Sequence, residues 1–589
     1  MKKKSLLGLL VACTLAVVGV FSPAFADSNG SWIPQSPNQN DPSFHGVTFQ
    51  DSSPLKLPFS VLQGASDKGM VLCKSTKDPA CANSEFDYLS MLKECASATD
   101  TDCVAGVEAF DASNNPTPGT FEKYTVTNHI NSYTGDPKLG IPDGSMPSIW
   151  SIPTAPHASG SDYAVVAGMS GWVNSDGSSD NRGSILAVSL VPVVLHDFGQ
   201  GQNSQLGFFG SNLKDVYYDG CGDIQQTPTR MNIGCGHVNG PQCLLPTNTN
   251  GQCYMQEDFP ANVRFGVQLR LSKEPNGWLH GRMVDPNVTI TKDPNGGIDL
   301  SVLAGSTSIP MVYQGADWSS LPAAVQNFWV ECMVGGDSCG PVGGGQGDDP
   351  NYWEESTSLA GNAKTNLNAS PYAFGQIALD GVSAISPLVG NKSNALTASW
   401  SFRTLSNDEM NGADKCFSST PGIKGIVTTN STAYSAGPPA FTGGALNYKV
   451  ASPHFNPDGT TPFKGNYNLV IRSDVARCIY GFSSAPISAS ISIISSDGSD
   501  DVATTVAGEK DGWLSLSANG FEFSSPVIQV KLTQNGSSAP AAGQKASAPS
   551  VPAVVKTPLK VTTITYVKSA TTKKVSGINP ACPSGYKKK

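Results

Sequence analysis

Between Val263 and Leu303 apolar and polar residues alternate in short runs separated by turn signals. Val263–Ser272 alternates, and Glu274-Pro275-Asn276-Gly277 turns the chain. Trp278–Val284 follows, then Asp285-Pro286, then Val288–Thr291. Asp293-Pro294-Asn295-Gly296-Gly297 precedes a last run, Ile298–Leu303. Alternation sends successive side chains to opposite faces of a strand, and Asn-Gly between such runs marks a hairpin because glycine accepts positive φ. These runs predict a β-meander over 261–304.

The same period recurs on either side. Tyr163–Met169 and Ser184–Leu195 predict a hairpin joined by the polar turn Asn174–Asn181. The carboxylates and amides of that turn suit calcium, but it lacks the ordered acidic loop and distal glutamate of a calcium site and reads as a solvated turn. Tyr467–Arg472, Ile487–Ile494, Val502–Ala507, Gly512–Ser517 and Val527–Thr533 are strand runs at the spacing of a sandwich. A helical period shows in two places. Phe86, Leu89 and Leu92, flanked by Tyr88 and Met91, predict a short amphipathic helix over Glu85–Glu94. Leu321–Cys332 predicts a second, capped by Ser319 or Ser320 with Pro322 in its first turn.

Charged residues are 14% of the 589, with 61 Gly and 42 Pro. So few charges exclude a solvated polyelectrolyte, and abundant turn formers among Val, Ile, Thr and Ser favour a mainly β, multidomain chain of β-sandwich-like domains. The expected division is an N-terminal β-rich domain over 27–200, the meander domain over 201–340, a Gly/Asp-rich connecting region over 341–435 and a sandwich over 436–534. An Ala/Pro/Ser linker over 535–555 and a basic tail over 556–589 complete it.

Residues 1–26 read as a signal peptide. Lys2–Lys4 supply the basic start, Leu6–Phe21 the apolar run, and Ala24-Phe25-Ala26 the small residues before the cut. A rival reading takes Leu10-Val11-Ala12-Cys13 as a lipobox, which lipidates Cys13. The run before Cys13 is short and the apolar stretch continues past it to Ala26, so cleavage at Ala26 is preferred. An exported chain is secreted or held at the cell surface, with no transmembrane segment in its mature form.

Export changes the meaning of the cysteines. Twelve of them fall into close or plausible couples: Cys73/Cys81, Cys95/Cys103, Cys221/Cys235, Cys243/Cys253, Cys332/Cys339 and Cys416/Cys478. They read as disulfides, with swaps open within 221–253 and Cys582 left over. A zinc reading of Cys221, Cys235, His237, Cys243 and Cys253 lacks the tight half-site that zinc ligands show.

The net charge of −9 hides an asymmetry. Residues 556–589 hold eight lysines and no acid, so the body before them is strongly acidic. Such a body is a poor match for nucleic acid, while the tail suits an anionic envelope polymer.

No catalytic or cofactor motif is legible. Gly168-Met169-Ser170-Gly171 places its second glycine one residue early for a nucleophile elbow, and the seven histidines show no metal-ligand spacing. Trp278, His280 and Arg282 share one strand face, with Asp285 beyond them. An aromatic, an imidazole and a guanidinium together can bind a sugar ring or an anion; the plainer alternative is a structural cluster with Arg282 paired to Asp285. The acids and aromatics of Asp348–Glu355 suit a polysaccharide hydrolase, though neighbours on a loop do not set the carboxylate spacing that glycoside cleavage needs. The leading expectation is a non-catalytic structural or binding protein of the cell surface; the alternative is that hydrolase.

Ser473–Phe482, Ala503-Thr504-Thr505 and Gly520–Pro526 resemble a family of secreted actinobacterial proteins without established function. The tail, Thr563–Lys568 with Pro580–Lys589, is similar to the short basic Cys-Pro-x-Gly-Tyr-Lys tails that end such proteins. Those tails often hold cysteine where Tyr566 stands, and the resemblance implies export but no catalytic residue. N-terminal sequencing of the exported protein is expected to begin at Asp27; a diacylated Cys13 as first residue refutes that processing.

Overall fold

The computed structural model describes residues 44–49, 60–66, 69–81, 85–126, 133–174, 176–177, 185–197, 244–247, 252–292, 297–317, 322–324, 367–369, 373–410, 413–418, 421–484, 487–494, 500–502, 506–523, 527–534, 562–568, 571–577 and 587–588. The protein is mainly β, and the chain divides into two compact units, Met1–Asn535 and Gly536–Lys589.

The first unit is organised by one long mixed sheet. Its strands run in the order Val506–Lys510, Trp513–Glu522, Lys464–Arg472, Ile423–Thr429, Gly277–Arg282, Ser401–Thr404, Ile185–Asp197, Asp162–Val173, Glu85–Met91, Val61–Ser66 and Gly69–Leu72. Along this path Gly277–Arg282 and Ile423–Thr429 are parallel, and the other pairs are antiparallel. Strands from positions 61 to 522 thus share one sheet, so boundaries drawn along the chain at 200 and 340 do not fall between sheets.

Two further sheets cover it. One runs Val284–Lys292, Ile298–Gly305, Arg264–Leu271, Cys103–Phe110 and Lys93–Glu94. Its Phe265, Val267, Leu269, Leu300 and Val302 pack with Tyr88, Tyr163, Leu279, Ile426 and Val470 of the long sheet. The other runs Ala433–Tyr434, Ala445–Ala451, Val527–Gln534, Ile487–Ile494 and Asp500–Val502. Its Tyr448, Val450, Ile491, Ile528 and Val530 pack with Trp278, Val427, Leu469 and Ile471. Neighbours such as Trp278 and Leu279, or Ile426 and Val427, therefore enter opposite cores. The central strands are buried on both faces, as the unbroken burial of Ile423–Thr429 shows. The close layers leave no room at Gly425, where a Cβ would sit 2.6 Å from both the Trp278 indole and the Val470 carbonyl oxygen.

Double-sided burial explains two corrections to the sequence reading. Glu85–Glu94 is not a helix; Glu85–Met91 is a strand between Val61–Ser66 and Asp162–Val173. Phe86 and Tyr88 face one core, while Leu89 and Met91 face another. Apolar residues needed on both faces produce 3- and 4-residue spacings that imitate a helical stripe. The 261–304 region is not a simple meander. Ile298–Gly305 lies between Arg264–Leu271 and Val284–Lys292, whereas Gly277–Arg282 leaves for the long sheet. The chain changes sheets at Met283–Asn287, through a register shift and Asp285 at φ 48°.

The hairpin over 162–195 forms, with Tyr163 opposite Pro192 and Ser170 opposite Ile185. The expected strand runs in 467–533 form too, but 502–507 is divided: Asp500–Val502 joins the covering sheet and Val506–Lys510 the long one. Arg472 leads into a helix, Ser473–Tyr480, which buries Val475, Ala476 and Ile479 and stops at Gly481 in the left-handed region. A second helix, Gln376–Ile385, has no counterpart in the sequence reading; it buries Ala378, Leu379, Val382 and Ile385.

Cys73–Cys81, Cys95–Cys103 and Cys416–Cys478 are disulfide-bonded, the last joining the short helix Lys415–Ser418 to Ser473–Tyr480. The other three expected couples differ in standing from these. Cys221, Cys235, Cys243, Cys332 and Cys339 lie outside the described residues, and of Cys253 only the backbone is described, in the strand Gln252–Gln256. The pairings Cys221/Cys235, Cys243/Cys253 and Cys332/Cys339 therefore fall outside the described residues, as does the leftover Cys582. So do the signal peptide, most of the 174–181 turn and of the 321–332 helix, and Asp348–Glu355 at the start of the 341–435 region.

In the second unit, Thr562–Lys568 is the middle strand of a three-stranded antiparallel sheet, with Thr571–Gly577 on one side and Lys587–Lys588 on the other.

Closing a 62-residue separation, Cys416–Cys478 restricts the unfolded chain far more than the 8-residue loops do. The C416S/C478S variant is expected to lose about 4 kcal/mol and the C73S/C81S variant about 2–3 kcal/mol. Denaturant titration under non-reducing conditions measures both; equal or absent losses contradict the long-range tie.

Candidate functional site

Trp278, His280 and Arg282 do share one face of their strand, and that face lies inside the protein. Trp278 is fully buried, edge-on to Phe417 with centroids 5.1 Å apart. His280 stacks flat on Tyr434 of the covering sheet, with centroids 3.9 Å apart and planes 2° from parallel. The Arg282 guanidinium lies 4.5 Å from the same ring and donates to the carbonyls of Thr429 at 2.9 Å and Ser431 at 2.7 Å. These carbonyls sit at and beyond the end of Ile423–Thr429, so the buried cation is held by backbone oxygens. Asp285 stands apart and exposed, accepting from Ser517 Oγ at 3.0 Å, while its carbonyl accepts from Arg264 Nη2 at 2.9 Å. The expected open sugar or anion face is therefore an interior layer tie, and the alternative Arg282–Asp285 pair is replaced by these other partners.

A second guanidinium borders this cluster. Arg403 is opposite His280 in the strand register and grips Glu409 two-pronged, at 2.6 and 2.7 Å. Glu409 is buried and also accepts from the Ser406 amide at 3.0 Å. Burial, followed by the nearness of Arg282 and Arg403, holds the His280 imidazole well below its ordinary range. It is a neutral stacking plate, unsuited to acid–base work at physiological pH. Nothing local in the sequence marks Tyr434 or Glu409 as its neighbours; both arrive through strand pairing and layer packing.

The accessible chemistry lies elsewhere, at one end of the long sheet. Ile423 starts its strand there, Arg472 ends the next, and Trp513 begins the one after, with Trp513 directly opposite Arg472. Together with the helix Ser473–Tyr480 and the strand Val284–Lys292, these ends enclose a cleft of about 760 Å³. Its polar wall holds two bidentate ion pairs, with Lys292, Glu274 and Asp511 also lining the cleft. Arg472 Nε and Nη2 donate to Asp474 at 3.0 and 2.7 Å. Arg477 Nη1 and Nη2 meet the two Glu509 oxygens at 2.8 and 3.1 Å, and Arg477 Nε donates to the Ser483 carbonyl at 2.9 Å. The Arg477 hydrogen bond is the main reason that the Glu509 carboxyl sits below the usual range. Trp513 and Phe482 line the apolar part, and Trp513 packs against the main core. Glu274 closes one corner by accepting from the Ile423 amide at 3.0 Å. That approach requires Gly422, at φ 83°, because a Cβ there would collide with the Glu274 carboxylate. The sequence reading missed this site because its residues come from five separate stretches of chain.

The folded protein leaves His280 unprotonated where the unfolded chain takes up a proton, at about pH 6.5. Stability linked to His280 is therefore present above that pH and falls on acidification, by about 1.4 kcal/mol per pH unit below it. Between pH 7 and 5, calorimetry is expected to show a steeper fall in the unfolding midpoint for the native protein than for H280Q. Parallel falls exclude His280 as the group responsible.

No family model, curated protein or solved structure matches this chain, so the reading of the site rests on its own residues.

Proposed function

We propose that this is an exported, envelope-associated structural or binding protein without a reaction of its own, held by its C-terminal unit to an anionic envelope polymer. The observation that carries the reading is the convergence of lysines in that unit. Tyr566 on the middle strand is opposite Lys573 in one neighbour and Lys588 in the other; Thr565 is opposite Lys574, and Val567 opposite Lys587. A fixed register concentrates positive charge that an unstructured tail would spread, and a repeating polyanion engages several such charges at once. The segment over 556–589 holds no acid to oppose it. Among the described residues three disulfides suit an oxidising compartment, and no helix is long and apolar enough to cross a membrane. The resemblance to secreted actinobacterial proteins points the same way.

A hydrolase reading finds less support. Asp348–Glu355 lies outside the described residues. In the cleft, Arg477 holds Glu509 down, whereas a general acid for glycoside cleavage needs its carboxyl raised.

At physiological salt the field of the tail reaches only about 8–10 Å, so binding by it is contact-range and salt-sensitive. The intact protein is expected to sediment with isolated Gram-positive wall material and to be released by about 0.5–1 M salt, where screening is nearly complete. Truncation after Val555 is expected to abolish sedimentation. Equal retention of the two forms refutes the tail as anchor.

A further inference from the structure

We infer that the cleft between Trp513 and the helix Ser473–Tyr480 is a second binding site, independent of the tail, for an uncharged sugar unit of a glycan. Its volume of about 760 Å³ lies within the range of small-ligand sites. The walls are of two kinds. Trp513 and Phe482 offer aromatic surface, and the anchoring of Trp513 on the core fixes its orientation. An indole face is electron-rich and attracts the C–H face of a saturated ring. On the other side stand the Arg472–Asp474 and Arg477–Glu509 pairs, rigid and planar.

The two pairs favour an uncharged ligand at this wall. Arg472 holds Asp474 and Arg477 holds Glu509, so at these pairs a free anion would have to displace a carboxylate and a free cation a guanidinium. A hydroxyl does neither, since it both donates and accepts. Lys292, Glu274 and Asp511 also line the cleft and stand outside these pairs. Asp474 is the open acceptor: its side chain retains 56% exposure while Arg472 holds it in place. Vicinal hydroxyls match the edge of such a pair, donating to the carboxylate and accepting from the guanidinium, while the ring face lies on Trp513. These pairs are partly exposed and contribute little to stability. Their value is geometric, as a fixed array of donors and acceptors beside an apolar plate.

The test uses the full-length secreted protein with defined probes: neutral hexasaccharides of the cello, malto, xylo and chito series, and polygalacturonate as the anionic control. Titration calorimetry and tryptophan fluorescence read binding. At least one neutral series is expected to bind and to perturb the fluorescence, with affinity unchanged by truncation after Val555. W513A is expected to weaken that binding at least tenfold. D474N, which keeps the shape of the side chain and leaves the core untouched, is expected to weaken it several-fold with the unfolding midpoint unchanged. Absence of binding by every neutral series at millimolar concentration overturns the site. So does binding of polygalacturonate alone, or native affinity in D474N. Loss of neutral-sugar binding on tail truncation, with the cleft intact, assigns the ligand to the tail and also overturns it.

Discussion

The long sheet of this protein has water on neither face along its central strands, and much of the remaining structure answers that constraint. Gly277–Arg282, Ile423–Thr429 and Lys464–Arg472 feed alternate side chains into two cores built by two different covering sheets. A strand so placed has no polar face to spare. His280 and Arg282 are nonetheless buried there; backbone carbonyls offset part of the cost for Arg282, while His280 has the stack on Tyr434 and its Nε2 makes no hydrogen bond. Arg282 reaches carbonyls where the neighbouring strand runs out, and both side chains lie against Tyr434 from the opposing layer. The polar face thus serves as a tie between layers.

The same constraint places the cleft. A doubly covered sheet can offer chemistry only at its ends, where strands stop and turns and helices begin. Ile423, Arg472 and Trp513 are such ends on neighbouring strands. The helix that leaves Arg472 is fixed by its apolar face on the core and by Cys478 bonded to Cys416. The result is a rigid polar wall facing an aromatic one.

The two compact units carry the two proposed binding sites. The first unit presents two arginine–carboxylate pairs beside Trp513 in its cleft, the features on which the proposed sugar site rests. The second carries Lys573, Lys574, Lys587 and Lys588 on the strands of a small sheet, the feature on which the proposed binding of an anionic polymer rests.

What could be read along the chain is whatever depends on near neighbours. Mainly β character follows from alternation and turn chemistry, and the 162–195 hairpin forms where its two runs flank a polar turn. Cys73–Cys81 and Cys95–Cys103 were legible because an eight-residue separation makes the nearer cysteine the natural partner. Alternation also announced that Trp278, His280 and Arg282 share a face. Whether that face meets water depends on how the layers stack, because the covering strand that carries Tyr434 enters the chain about 150 residues later. Double-sided burial disguised Glu85–Met91 as a helix, since period counts assume one apolar face. The cleft left no local trace at all: Glu274, Ile423, Arg472 and Trp513 meet because strands pair in space, and pairing over such separations depends on the stacking of sheets rather than on any pattern along the chain.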